Sequence, residues 1–233
     1  MCARIARADG AGLAIAVLDS AAECEFFYPK LKYFLELDGK PFEIRMLPGP
    51  PRAADSDAAR FDAACERIGT LRAMADAGRE GRPQLFAVAT AEALFAPAPS
   101  PSAAVPLEIS AGMKISPHEL REKLAAFGYY NETLCEAPGQ FAARGGILDV
   151  YPVSADAPVR IDFFGDEIDA IRKFDPDTQL ADAKIFSAAI DPIPETFGAG
   201  GGAWNALDYL GKGRADWIFF EPSAIAARSP DLF

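Results

Sequence analysis

The N-terminal part of the chain, up to about Ser100, alternates strand-like apolar runs with helix-like stretches. The apolar runs predict strands at Leu13–Leu18, Phe42–Leu47 and Gln84–Ala89. Between them, Ser20 and Glu23 form a capping box that begins one helix, and a second helix is predicted from about Ser56 to Ala77. Strands that alternate with helices favour a largely parallel sheet covered by helices. We expect Pro29 to kink or divide the first helix.

A period of two residues replaces this pattern in the middle of the chain. It predicts three strands, at Gly146–Tyr151, Val159–Phe164 and Glu167–Phe174. Turn-rich joints separate them, so the strands should form an antiparallel β-meander. In the second strand Arg160, Asp162 and Phe164 share one face, because side chains alternate across a strand. The opposite face should be core, and we expect Phe163 and Phe174 to be buried.

A helix is predicted just before the meander. Ser116 caps it, Pro117 takes the first helical position, and Gly128 ends it. The helix should cover the core face of the sheet and leave the other face open. His118 is explained by this helix start, and no serine or cysteine motif surrounds it, so we assign it no catalytic role.

Three motifs within the meander are more specific than a β pattern. They read Arg-Gly-Gly-Ile-Leu-Asp-Val-Tyr-Pro at 144–152, Arg-Ile-Asp-Phe-Phe-Gly-Asp-Glu-Ile at 160–168 and Phe-Asp-Pro-Asp-Thr-Gln at 174–179. Together they resemble the UvrA-interaction domain of the bacterial transcription-repair coupling factors, the Mfd family. The related module of UvrB is similar but less close. The clear resemblance covers about residues 106–195, and a fainter one extends upstream to about Leu13.

This resemblance implies an α/β fold with an insertion. Residues 1–105 would form a degenerate, motor-like parallel α/β lobe, and the Pro/Ala/Ser-rich joint Ala96–Pro106 would be the linker at its end. Residues 106–190 would form the inserted α+β UvrA-interaction domain, built on the antiparallel β-meander. Residues 191–233 would be a truncated returning segment of the first lobe, with a strand at Asp216–Glu221.

The family's binding residues carry over to three positions of this chain. The resemblance implies that Arg144, Arg160 and Phe164 contact UvrA. Two arginines beside an exposed aromatic ring can hold a partner's carboxylates around an apolar anchor. We therefore expect Phe164→Ala and Arg160→Ala to weaken UvrA binding with almost no change in melting temperature.

An ordinary structural explanation stays open for the same residues. Each arginine can pair with a nearby acid on a solvated surface, namely Asp149, Asp162 or Asp166, and such pairs contribute about 0 to 1 kcal/mol. A single exposed phenylalanine is also common on protein surfaces.

The function implied by the resemblance is non-catalytic. This region would recruit UvrA to stalled RNA polymerase in transcription-coupled nucleotide excision repair, and the full-length parent would be an ATP-dependent DNA translocase. RNA polymerase and DNA would be bound only through other regions of that parent. We expect no cofactor and no metal.

The alternative is a nucleotide hydrolase or nuclease subunit with a cryptic site in the α/β lobe. The chain has no G-x-x-x-x-G-K-[ST] motif, and the glycine-rich Gly198–Gly202 lacks the lysine of a phosphate-binding loop. Asp166 and Glu167 suggest metal-dependent chemistry, but adjacent strand residues point to opposite faces and make poor co-ligands.

Composition further limits the classes of function and the kinds of site that this chain can have. The net charge is −11, with an isoelectric point near 4.6, and this argues against a broad DNA-binding surface. No apolar run approaches the roughly 18 residues that cross a bilayer, and no signal peptide is evident, so we expect a cytoplasmic protein. Four scattered cysteines and a single histidine make a zinc site improbable, and the cysteines should be buried thiols.

Overall fold

The structure is a computed structural model that describes residues 12–39, 41–50, 56–81, 83–102, 105–193, 204–210 and 215–228. The chain divides into two compact units. Unit 1 comprises Met1–Pro101 and Gly201–Phe233, and unit 2 comprises Ser102–Gly200. Cys2 and the glycine-rich Gly198–Gly202 lie outside the described residues.

Strands and helices are numbered here in chain order. The strands are β1 (Leu13–Leu18), β2 (Phe42–Met46), β3 (Gln84–Thr90), β4 (Leu107–Ser110), β5 (Tyr130–Asn131), β6 (Gln140–Arg144), β7 (Ile147–Val150), β8 (Val159–Phe164), β9 (Glu167–Phe174), β10 (Ala181–Ile185), β11 (Ser187–Ile190) and β12 (Ala215–Phe219). The α-helices are α1 (Ala21–Asp38), α2 (Asp57–Asp76), α3 (Ala91–Phe95), α4 (Pro117–Ala126) and α5 (Pro222–Arg228).

Unit 1 is built on a parallel sheet with the strand order β12-β1-β3-β2. The two central strands are buried on both faces, as parallel strands covered by helices are. Helix α1 packs its buried side chains against one of these faces, where Phe27, Leu31 and Leu35 meet Phe86 and Val88. The side chains of Ser20 and Ser56 cap α1 and α2 as their sequence patterns predict.

Helix α1 does not divide at Pro29, so one of the two outcomes that we expected there does not occur. It runs without interruption from Ala21 to Asp38, with the proline inside. Pro29 cannot donate to the carbonyl of Glu25, four residues earlier. Both residues lie on the exposed side of the helix, where water can satisfy that carbonyl, so the helix continues.

Unit 2 contains a six-stranded sheet in which the strands follow one another in space in the order β10-β9-β8-β7-β6-β5. Every neighbouring pair is antiparallel except β5 and β6. This is a longer meander than the three strands that the sequence pattern predicts. Strands β4 and β11 form a separate antiparallel pair.

Helix α4 and the sheet of unit 2 both bury apolar side chains. Ser116 accepts a hydrogen bond from the amide of Glu119 at 3.1 Å and caps α4, whose Leu120 and Leu124 are fully buried. Also buried are alternate residues of the sheet, namely Phe141, Leu148, Val150, Val159, Ile161, Ile168 and Ile171. Phe174 is buried, but Phe163 is only half-buried because it lies near the end of β8, next to a hairpin.

The fold is therefore mixed α/β, with one parallel sheet and separate antiparallel sheets. Cys24, Cys65 and Cys135 are free and buried, which confirms for these three the interpretation as buried thiols. Burial raises the pKa of both Cys24 and Cys135 to about 12, so neither thiol is activated.

Candidate functional site

One face of the six-stranded sheet brings the three predicted binding residues together. Arg144 pairs across the strands with Ile147, Ile147 with Asp162, and Asp149 with Arg160. Residues paired in this way, and every second residue along each strand, point to the same side of a sheet. Arg144, Arg160 and Phe164 thus share this side, which we call the outer face, with Ile147, Asp149 and Asp162.

One half of the outer face is covered. Buried Cys135, Ala142 and Phe174 form a small apolar cluster there, with Tyr151 packed against it. The expectation that the whole face would be open is therefore wrong, because the segment that carries Cys135 covers this half. The other half ends at the β6–β7 and β8–β9 hairpins, where Arg144, Ile147 and Phe164 are all exposed. We call it the open end.

Arg160 lies at the boundary of the covered half and is held by several groups. Its Nε and Nη2 donate to the two carboxylate oxygens of Asp149 at 2.7 and 2.8 Å, and its Nη1 donates to the carbonyl of Gln179 at 3.2 Å. The guanidinium carbon lies 4.7 Å from the centre of the Phe174 ring. The Asp149 hydrogen bond raises the pKa of Arg160. Its side chain is 19% exposed, whereas that of Asp149 is 2% exposed.

The ion-pair explanation thus fits Arg160, although its acid is buried rather than solvated. A buried carboxylate depends on its partner, because an unpaired charge in the interior is costly. Arg160 is therefore first of all a part of the scaffold of unit 2.

Arg144 is held much more loosely. Its Nη2 donates to the carbonyl of Thr133 at 3.2 Å. Among the residues that the structure describes, no carboxylate pairs with it, so the ion-pair explanation does not fit this arginine. The exposed guanidinium retains N–H groups that can donate hydrogen bonds to a partner's carboxylate.

Phe164 is the most exposed large apolar side chain among the described residues of unit 2, with 84% of its surface accessible. The hairpin that carries it is braced from the side. The amide of Ile115 donates to the carbonyl of Asp166 at 2.9 Å, and the amide of Ile168 donates to the carbonyl of Met113 at 3.0 Å. The ring is therefore presented on rigid backbone, which limits the entropy lost on binding.

The β8–β9 hairpin depends on the glycine that follows Phe164. Phe164 pairs with Glu167, which leaves a two-residue loop, and Gly165 has a φ of +61°. A side chain there is strained by about 1–2 kcal/mol. We expect Gly165→Ala to lower the free energy of unfolding by about this amount, measured by denaturant titration. Asp166→Ala, in the same loop but without a positive φ, should change it far less; equal losses would contradict this explanation.

Sequence reasoning missed two features of the open end. Ile147 lies on the outer face beside Arg144, and Arg172 of β9 forms an ion pair with Asp162. Both features depend on which residues of different strands lie opposite one another. A register of this kind is a property of the paired strands, and the pattern of a single strand does not contain it.

A crevice in the α/β lobe bears on the enzyme alternative. It has a volume of about 790 Å³ and lies where the carboxyl ends of β1, β2 and β3 meet, the usual ligand position in open α/β sheets. However, Asp19, Glu25, Glu66 and Glu92 line it, and Arg228, which also lines it, pairs with Asp19 at 3.2 Å. An acidic wall repels the phosphates of a nucleotide.

Within the described ranges, no three His, Cys, Asp or Glu side chains come together as metal ligands. No helix in the described part of the chain is both long and apolar enough to span a membrane.

A known family model matches most of unit 2. Residues 107–195 match the family model described as the UvrB interaction domain. The transcription-repair-coupling factor of Bacillus subtilis is 40% identical over 87 residues, which are 37% of this chain and 7% of that protein. The transcription-repair-coupling factor of Escherichia coli is 40% identical over 89 residues, 38% of this chain and 8% of that protein.

A UvrB protein matches over a similar stretch. The UvrABC system protein B of Pseudothermotoga lettingae is 36% identical over 95 residues, which are 40% of this chain and 14% of that protein. The matched stretch therefore spans only a small part of each of these relatives. The resemblance that the motifs predict is confirmed: residues 107–195 match the UvrB interaction domain, and the chain is similar over part of its length to transcription-repair-coupling factors and to UvrB proteins.

Proposed function

We propose that unit 2 is a protein-binding module that docks UvrA during nucleotide excision repair. The observation that carries this proposal is the open end of the outer face. Within the stretch that matches an interaction domain, it exposes a phenylalanine on a braced hairpin and an arginine without an acidic partner among the described residues. An aromatic anchor beside an arginine is the usual composition of a binding hot spot.

The three predicted residues have different roles in this proposal. Phe164 is the apolar anchor, and Arg144 binds a carboxylate of UvrA. Arg160 supports the face from its boundary and offers UvrA only the part of its guanidinium edge that Asp149 and Gln179 leave uncovered. The order of importance for direct contact is therefore Phe164, Arg144 and then Arg160.

The kind of parent protein that would contain this chain is also a proposal. The Phe-Asp-Pro-Asp-Thr-Gln motif at 174–179 favours a coupling factor, in which this region would recruit UvrA to stalled RNA polymerase. Unit 1 would then be a degenerate motor-like lobe and unit 2 its insertion. ATP-driven translocation on DNA would belong to other parts of a longer parent protein. The net charge of −11 favours protein recognition over direct DNA binding.

Calorimetric titration of the chain with UvrA tests this proposal, together with an assay of ATP turnover. We expect binding to UvrA and no ATP hydrolysis. Hydrolysis without any binding would instead favour the enzyme alternative, with the crevice of unit 1 as its site.

Arg144→Ala should weaken UvrA binding by about tenfold, because one hydrogen bond between charged groups contributes about 1.5 kcal/mol. The difference from the parent should shrink as salt is added, since exposed charges are screened. Arg121→Ala is the matched control, because Arg121 is an exposed arginine on α4 of the same unit. Equal weakening by both substitutions would show a general charge effect and contradict the assignment.

A further inference from the structure

We propose that Ile147 is a further contact residue of this site, and that UvrA places an apolar side chain between Ile147 and Phe164, with a carboxylate beside it for Arg144. This inference rests on the proposed function, and it adds both a residue of this chain and the chemistry of the partner.

The first observation is the exposure of Ile147. It belongs to β7, which lies between β6 and β8 inside the sheet, and the other three residues of that strand are buried. Ile147 itself is 39% exposed. The exposed part of an apolar side chain adds nothing to the stability of the fold. Burying that part in a complex is favourable.

The second observation is its neighbourhood. Ile147 lies between Arg144 and Asp162 in the register of the sheet. Phe164, two residues beyond Asp162, is its diagonal neighbour, and such neighbours lie about 7–8 Å apart, within reach of aromatic side chains. The two apolar groups therefore form one patch, although the sequence separates them.

The third observation concerns charge around the patch. The carboxylate of Asp162 is paired with Arg172, whereas the exposed Glu167 lies opposite Phe164 and has no ion pair among the described residues. On the other side, Arg144 has no carboxylate partner among the described residues. The patch thus has a positive border at Arg144 and a negative border at Glu167. It fits a partner surface with an apolar side chain and an adjacent carboxylate, the arrangement of a desolvated hot spot with a polar rim.

We assign UvrA as the protein that covers this patch, because the patch is continuous with Phe164 and Arg144, the two residues assigned to the UvrA contact. A second copy of this chain is the alternative occupant, because Arg144 of one copy can meet Glu167 of the other in a symmetric pair, and self-association in solution tests it.

The test is a titration of the full chain with UvrA, using variants of Ile147. Ile147→Thr keeps the β-branched shape and should weaken binding about fivefold to tenfold, as expected from the lost burial of part of a side chain. Ile147→Asp places a carboxylate between Arg144 and the partner's acid, and should weaken binding about a hundredfold. Val105→Thr, an equally conservative change at another exposed position of unit 2, should leave binding unchanged.

The outcomes separate this inference from the proposed function. If Phe164→Ala weakens binding while both Ile147 variants bind like the parent, the inference fails and the function stands. If none of these variants differs from the parent, both fail. Light scattering of the parent and of Ile147→Asp gives the last outcome: self-association that disappears in the variant, without a change in UvrA affinity, would assign the patch to a second copy and overturn the inference.

Discussion

Replacing Phe164 by alanine should weaken UvrA binding by about thirtyfold or more, without lowering the stability of the chain. A hot-spot side chain contributes about 2 kcal/mol or more, which corresponds to this factor. With 84% of its surface accessible, the ring buries little on folding, so its removal leaves no cavity. Calorimetric titration with UvrA gives the affinity, and thermal unfolding gives the stability.

The matched control for this prediction is Phe186→Ala. Phe186 is 75% exposed in the same unit, but it follows β10, which β9 separates from β8, and it is not one of the residues assigned to the contact. If the two variants bind equally, or if Phe164→Ala melts well below the parent, the assignment of Phe164 as the anchor is wrong.

Replacing Arg160 by alanine should have a different main effect, which is a loss of about 3 kcal/mol in the stability of unit 2. Removing one partner of a buried ion pair costs about 3–5 kcal/mol, and we expect the lower end because Arg160 retains some contact with water. The sequence alone led us to expect an almost unchanged melting temperature. The structure revises this expectation, since the variant would leave the buried carboxylate of Asp149 without its cation.

Amide hydrogen exchange of β7 and β8 measures this effect locally, which suits a chain of two units that need not unfold together. Arg172→Ala is the control, because its ion pair with Asp162 is more exposed and should contribute less than about 1 kcal/mol. Combining Arg160→Met with Asp149→Leu should restore much of the protection, since apolar residues can replace a buried pair. Unchanged exchange in Arg160→Ala would refute the scaffold role.

Much of the local structure could be predicted from the sequence. Strands β1, β8 and β9 begin and end where the apolar pattern places them, and Ser20, Ser56 and Ser116 cap the helices that follow them. These features depend on neighbouring residues, because strand alternation and helix caps act over a few positions.

The candidate site could be predicted only in part. The resemblance and the alternation of β8 pointed to Arg160 and Phe164, but both arginines seemed equivalent in sequence. Asp149 lies eleven residues before Arg160, and their pairing depends on the register of β7 and β8. The same register places Ile147 beside Phe164. Contacts between strands depend on the whole sheet, and for this reason local patterns could not supply them.

The pairing of β4 with β11 bears on whether unit 2 can be inserted into other proteins. Leu107 lies opposite Ile190, so the first and last strands of unit 2 lie side by side. A segment whose terminal strands are adjacent can be inserted into a surface loop of an unrelated host without stretching that host. Unit 2, with its proposed binding face, should therefore be transferable as a whole into another protein.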